Sequence, residues 1–195
     1  MDYQQRVDDF YDKKADYYAN NSASLLLERL TYFTKLLPEK GRILDIGCGV
    51  GQDTEYLTKK GFKTIGIDSS CGMLEYAEKN RTCGKFIKMN MLDIRKNFKD
   101  NSFDGIWASS SLTHIPKCHF GIMLSRIKKI IKKGHPIILI LKKRTERIEP
   151  KRKFPFNKFY KKEIQEFSRK SKLKIIQIIP FKTIGIEWFF IHMEK

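Results

Sequence analysis

No stretch of about 20 apolar residues occurs in this chain of 195 residues, so no membrane-spanning helix is expected. The opening residues, MDYQQRVDDFYDKK, carry acids and no apolar core, and no signal peptide is read there. Cysteine is scarce. Cys48, Cys71, Cys83 and Cys118 show none of the paired spacings that hold a metal, so no metal is expected, and reduced thiols suit a cytoplasmic setting. No internal repeat and no second domain are visible. A hydrophobic content of 41% at this length fits one domain with a real core. Acidic residues are short in one part only. Residues 1–116 carry 17 Lys+Arg against 16 Asp+Glu, whereas residues 117–195 carry 22 against 6, which places +16 of the net +17 in the last part. A solvated basic face would account for this. So would an anionic partner such as RNA, a nucleotide or an acidic substrate.

What is present is organised around Arg42 to Asp53, RILDIGCGVGQD. Ile43, Leu44 and Ile46 suit a buried parallel strand. Asp45 stands just before a turn in which Gly47, Gly49 and Gly51 alternate. Glycine permits positive φ and close approach of a ligand, and the helix that follows aims free N–H groups at that ligand. A dinucleotide fingerprint needs its third glycine one place later, where Gln52 stands. A second strand, Thr64 to Ile67, ends in Asp68.

LDIGCGVGQD followed by GIDSSCGML resembles the class I S-adenosylmethionine-dependent methyltransferases. The resemblance implies a doubly wound, Rossmann-like α/β fold with a seven-stranded sheet, mostly parallel with the last strand antiparallel, and helices on both faces. It implies that Asp45 and the loop Gly47, Cys48, Gly49 and Gly51 cradle the cofactor, S-adenosyl-L-methionine, with S-adenosyl-L-homocysteine as product. It also implies that Asp68 holds the ribose hydroxyls, with Ser69 beside it. Met73 matches the position under the adenine, although core packing accounts for it equally. Asn90 and Met91 match the adenine contacts at the end of the third strand. Asn90 departs from the usual Asp, and Asp93 would supply that acid after a small register shift. Cys48 reads as a small residue that fits the loop rather than as a nucleophile.

The remaining elements follow from periodicity and punctuation. Residues 2–20 read as one amphipathic lead helix, and Ser24 to Leu37 as a second helix, stopped by Pro38. Further helices are expected over 53–60, 72–80, 119–133 and 160–170, with Ser69 or Ser70 capping the one over 72–80. Strands are expected over 85–91, 136–141, 173–179 and 187–193, and in FDGIWASSSLTHIP, residues 103–116. Repeated β-α order places ligands at the strand C-termini. Within one domain over 1–195, residues 1–37 form a lid, 42–141 the cofactor core, and 142–195 the substrate-side loop and closing strands. In relatives such a lid brings aromatics near the sulfonium, which aromatic faces attract. Tyr17 is thereby a cofactor-side candidate and Tyr11 a substrate-side one. Ser109 and His114 lie at the end of the fourth strand, facing the transferred methyl group. His114 is the candidate general base, or a loop-packing residue. In the basic stretch 142–158, Arg152 and Phe154 are the candidate acceptor contacts, since basic residues among aromatics bind phosphates and stack bases.

The reaction implied is direct displacement, in which an O or N of the acceptor attacks the sulfonium methyl and the protein supplies alignment. A small-molecule acceptor, possibly anionic by the charge count, is the first reading. Methylation of tRNA or rRNA through the basic C-terminal part is the second. A non-catalytic S-adenosylmethionine- and RNA-binding module is a third, and a nicotinamide oxidoreductase, disfavoured by Gln52, a fourth.

Overall fold

The computed structural model describes residues 3–21, 26–145, 156–183 and 185–195. Seven strands form one sheet: β1 (Arg42–Ile46), β2 (Lys63–Asp68), β3 (Lys85–Lys88), β4 (Gly105–Ser109), β5 (Pro136–Lys142), β6 (Lys174–Thr183) and β7 (Ile186–Glu194). Their spatial order is β3-β2-β1-β4-β5-β7-β6. Only β7 runs against the others, pairing antiparallel with both β5 and β6. The helices are α1 (Tyr3–Asp12), α2 (Ala15–Asn21), α3 (Leu27–Thr34), α4 (Gln52–Lys59), α5 (Cys71–Asn80), the single turn α6 (Ile94–Asn97), α7 (Lys117–Ile130) and α8 (Lys161–Ser171).

The strand order reverses between β1 and β4, each of which starts a walk outward in one direction. This is the switch point at which doubly wound sheets hold ligands. The central strands are rich in apolar residues because both their faces are covered. Leu44, Ile46, Ile106, Ile137 and Leu139 pack with Phe120, Leu124 and Ile127 of α7. The alternating residues Ile43, Trp107, Ile138 and Ile140 pack on the opposite side with Leu30 and Phe33 of α3 and Leu57 of α4.

Several boundaries differ from the expected ones. The lead helix breaks in two, because the chain turns at Lys13 and Lys14, where the Lys14 N–H bonds the Tyr11 carbonyl at 2.9 Å. β3 stops at Lys88, since Asn90 caps a tight turn by accepting the Leu92 N–H at 2.9 Å. α7 begins at Lys117 and ends at Ile130, since Ile131 bridges to Phe103. Lys132 lies past the helix, paired with Asp104 at 2.7 Å. Ser70, of the two serines considered, caps α5: its Oγ accepts the Met73 N–H at 3.2 Å. It also donates to Asp12 of α1 at 2.6 Å. Ser70→Ala is expected to lower stability by about 1 kcal/mol, a fall in Tm of roughly 2–4 °C at this size, read by thermal unfolding.

Candidate functional site

The glycine turn sits at the C-terminal end of β1. Gly47, Gly49 and Gly51 all have positive φ, at 71°, 52° and 78°. The Gly47 and Cys48 N–H groups both bond the Ile67 carbonyl at the end of β2, at 2.8 and 3.0 Å. A Cβ on Gly47 would stand 2.3 Å from the Ser111 Cβ, and one on Gly51 would stand 2.6 Å from the Phe86 ring. A Cβ on Gly49 would approach only the Met73 Sδ, at 4.0 Å. The outer glycines are therefore required by packing, whereas Gly49 borders an open space over which Met73 lies.

Asp68 closes one side of that space. Its Oδ2 accepts the Gly49 N–H and its Oδ1 the Ser70 N–H, both at 2.9 Å. Burial pushes this carboxyl above its ordinary value, the N–H bonds from Ser70 and Gly49 pull it back, and Asp8 adds to the rise. Beneath the loop, Asp45 is buried and accepts the Thr54 hydroxyl at 2.6 Å. Burial and then the neighbouring Asp53 push it well up. Asp53 takes the Trp107 indole N–H at 2.7 Å. The Asp45 carboxylate is thus tied to α4 through Thr54. Cys48 packs tightly against Gly66, where a Cβ would meet its Sγ at 2.9 Å. Burial pushes its thiol well up, which keeps it inert.

Two helices lie across this end of the sheet. Along one edge of α1, Gln4 and Asp8 bond Ser69 at 3.0 and 2.6 Å, and Asp12 takes the Ser70 hydroxyl and the Gly72 N–H. Along the other edge, Tyr3 lies beside Asn157, and the Tyr11 hydroxyl bonds His114 Nε2 at 2.8 Å. α2 is tied to the loop by Gln52, whose amide donates to the Ala19 carbonyl at 2.9 Å. Spacing by four along α1 carried both edges, yet nothing in that pattern named their partners some 60 to 150 residues away.

At the end of β4, Ser109 is half-buried and Ser110 adopts a positive φ of 59°, a conformation that non-glycine residues hold only where the surroundings enforce it. The Ser111 hydroxyl ties this end to the Ile46 carbonyl of β1. His114 follows in a tight turn. It is 8% exposed, its ring packs on Tyr11 at 5.1 Å and on Phe156 at 4.4 Å, and burial pushes its pKa down to about 4. The sequence-predicted pair Tyr11 and His114 is therefore brought together. Tyr17 is 58% exposed and stacks edge-on against Tyr18. Asn90 and Met91 follow β3, with the Asn90 amide oxygen already accepting from Leu92. Asp93 points to solvent and pairs with Lys96 at 2.7 Å, so the register shift that would recruit it is not seen. Arg152 and Phe154 lie outside the described residues. Among the described residues, no three His, Cys, Asp or Glu side chains gather to hold a metal ion.

His114 gives a pH test. Its folded-state pKa lies below the ordinary 6.5, so the unfolded chain binds the extra proton. Stability is then full above pH 6.5 and falls as the pH drops towards 4, by about 3 kcal/mol in all. His114→Gln should remove that loss, and the difference between the two denaturation-versus-pH curves isolates it from the buried carboxylates.

A doubly wound sheet with a glycine cradle and a carboxylate at its switch point defines a nucleoside-binding α/β domain. Residues 43–134 match the family profile described as a methyltransferase domain. Over that span, a little under half of the chain, it is similar to a methyltransferase domain, in line with the resemblance carried by the glycine turn. YqeM of Bacillus subtilis is 41% identical over 71 residues, covering 36% of this chain and 29% of that protein. Glycine N-methyltransferase of Mus musculus is 26% identical over 140 residues, covering 63% of this chain and 48% of the enzyme. Magnesium protoporphyrin IX methyltransferase (ChlM) from Synechocystis PCC 6803, solved with bound S-adenosylhomocysteine, superposes with a TM-score of 0.78 at 15% identity, covering 100% of each chain. The chain spans less than half the length of these two curated relatives.

Proposed function

We propose that this protein transfers a methyl group from S-adenosylmethionine to an O or N of a small-molecule acceptor. The observation that carries the reading is the open space at Gly49, bounded by the Asp68 carboxylate and Met73 at the switch point of the sheet. The residues present fit the cofactor. Gly47 to Gly51 would admit its amino-acid portion, Asp68 has lone pairs remaining for ribose hydroxyls, Ser69 stands beside it, and Met73 would lie under the base. Asn90 and Met91 would meet the base edge. When bound, S-adenosylmethionine supplies a methyl group on a sulfonium centre.

In this reading the chain works as one domain. Residues 1–37 close over the cofactor, 42–141 hold it, and 142–195 complete the acceptor side. His114 and Tyr11 face the acceptor and align it, which is the main contribution that a displacement requires. His114, held neutral by burial, accepts a proton only from an acidic acceptor group. The glycine and porphyrin methyltransferases among its relatives support a small acceptor. No helix among the described residues is long and apolar enough to cross a membrane, and four free thiols fit a cytoplasmic setting.

The basic residues of 117–195 favour RNA as the second reading. Incubation with methyl-labelled S-adenosylmethionine and a cell extract split by ultrafiltration separates the two. Label in the small-molecule fraction is expected. Label in RNA, with binding that weakens steeply as salt rises, would overturn the small-molecule assignment.

A further inference from the structure

His114 stands in a turn that is anchored from two sides. On the sheet side, the Thr113 hydroxyl donates to the Ser110 carbonyl at 2.6 Å. The His114 N–H donates to the Ser111 carbonyl, and the Ser110 N–H to the Ile140 carbonyl of β5, both at 3.0 Å. These bonds secure the turn up to the N–H of His114.

On the other side a single residue takes the carbonyls that flank His114. Asn157 donates its backbone N–H to the Thr113 carbonyl at 2.8 Å and its side-chain amide to the Ile115 carbonyl. Thr113 and Ile115 are both buried, and a buried carbonyl left without a donor is costly. Asparagine can meet both because it carries a side-chain donor close to its backbone one.

The segment that carries Asn157 is itself held fast. Phe159 is fully buried and packs on Phe120 at 4.7 Å. Its N–H donates to the Lys142 carbonyl and its carbonyl accepts the Arg144 N–H, both at 2.9 Å. Phe156 sets its ring on His114 at 4.4 Å. From α1, Tyr3 lies beside Asn157, and Tyr11, about two turns further along, bonds His114 Nε2. The turn, the 156–159 segment and the lid helix thus meet at Asn157 and His114.

We propose that Asn157 is a positioning residue for methyl transfer: by holding the carbonyls on both sides of His114, it fixes the imidazole on the acceptor side of the site. It acts through His114 and not on the reacting atoms. This rests on the methyltransferase reading above, in which His114 aligns the acceptor. A small displacement of the imidazole then lowers turnover and leaves the cofactor cradle as it was.

The test is an NMR titration of the full chain that follows the ring signals of its four histidines, His114, His119, His135 and His192. His114→Gln identifies the His114 signal by its loss. In the wild type that signal should titrate at about 4. Asn157→Leu keeps the side-chain shape and removes the amide donor. There the His114 signal should move up by about one unit or more, because a loosened turn admits water, while the other three signals titrate as before. Asn157→Gln keeps an amide donor and should hold His114 closer to its wild-type value. Calorimetric affinity for S-adenosylhomocysteine should be unchanged in both. Labelling of the small-molecule ultrafiltrate of a cell extract from methyl-labelled S-adenosylmethionine should fall by about tenfold to a hundredfold in Asn157→Leu. Asn157→Ala serves if the leucine variant does not fold. Wild-type titration of His114 in a folded leucine or alanine variant, equal movement of all four signals, or undiminished labelling overturns the inference and leaves the reading intact. Failure of the wild-type protein to bind S-adenosylhomocysteine overturns the reading, and the histidine titration then still decides whether Asn157 holds His114.

Discussion

Gly49→Val is expected to abolish binding of S-adenosylmethionine and S-adenosylhomocysteine while the protein still unfolds cooperatively. A Cβ added there would have Met73 Sδ, at 4.0 Å, as its one near neighbour, so the substitution starts into open space. The left-handed backbone at Gly49, φ 52°, costs a β-branched residue about 1–2 kcal/mol, a few degrees of Tm. The branched side chain is expected to stand in the ligand's path. Gly47→Ala provides the contrast. There even a methyl group falls 2.3 Å from the Ser111 Cβ, so stability is lost as well as binding. Calorimetry and thermal unfolding on both variants decide the matter. Wild-type affinity in Gly49→Val would remove the cradle from the account.

Asp68→Ala should weaken the same ligands by about 2–3 kcal/mol, a factor of roughly 30 to 150. Two losses combine. The ribose would lose its charged acceptor, and the loop and α5 would lose the carboxylate that takes the Gly49 and Ser70 N–H groups. Asp68→Asn keeps one acceptor oxygen and should fall between the two. An alanine variant with unchanged affinity in titration would show that the ribose lies elsewhere.

Much of this was legible from the residues. The strand–glycine–helix unit and the terminal Asp68 were readable because each is local: the turn needs positive φ at fixed positions, and the acid follows its own strand. The parallel core was readable because strands covered on both faces are rich in apolar residues, as in Ile43, Leu44 and Ile46 around Asp45 and in the run Pro136 to Leu141. The antiparallel last strand followed from the family resemblance, and the structure has it so.

The illegible parts are long-range or environmental. Asp12 meets Gly72 across 60 residues and Tyr11 meets His114 across 103, pairings that no periodicity encodes. The break at Lys13 and Lys14 was hidden because both halves of the lead segment have helical patterning. A free imidazole titrates near 6.5, and only its burial reveals that His114 stays neutral. Lys142 read as the start of a basic loop. A single lysine after six apolar residues does not say whether it turns out, like Lys143, or stays in, as it does.

The most direct test of the account is calorimetric titration of the purified protein with S-adenosylmethionine and S-adenosylhomocysteine, with NADH as the comparison ligand. Saturable one-to-one binding of both sulfur ligands, and no competition from NADH, is the predicted result. Absence of heat with either sulfur ligand, or preferential binding of NADH, would contradict it.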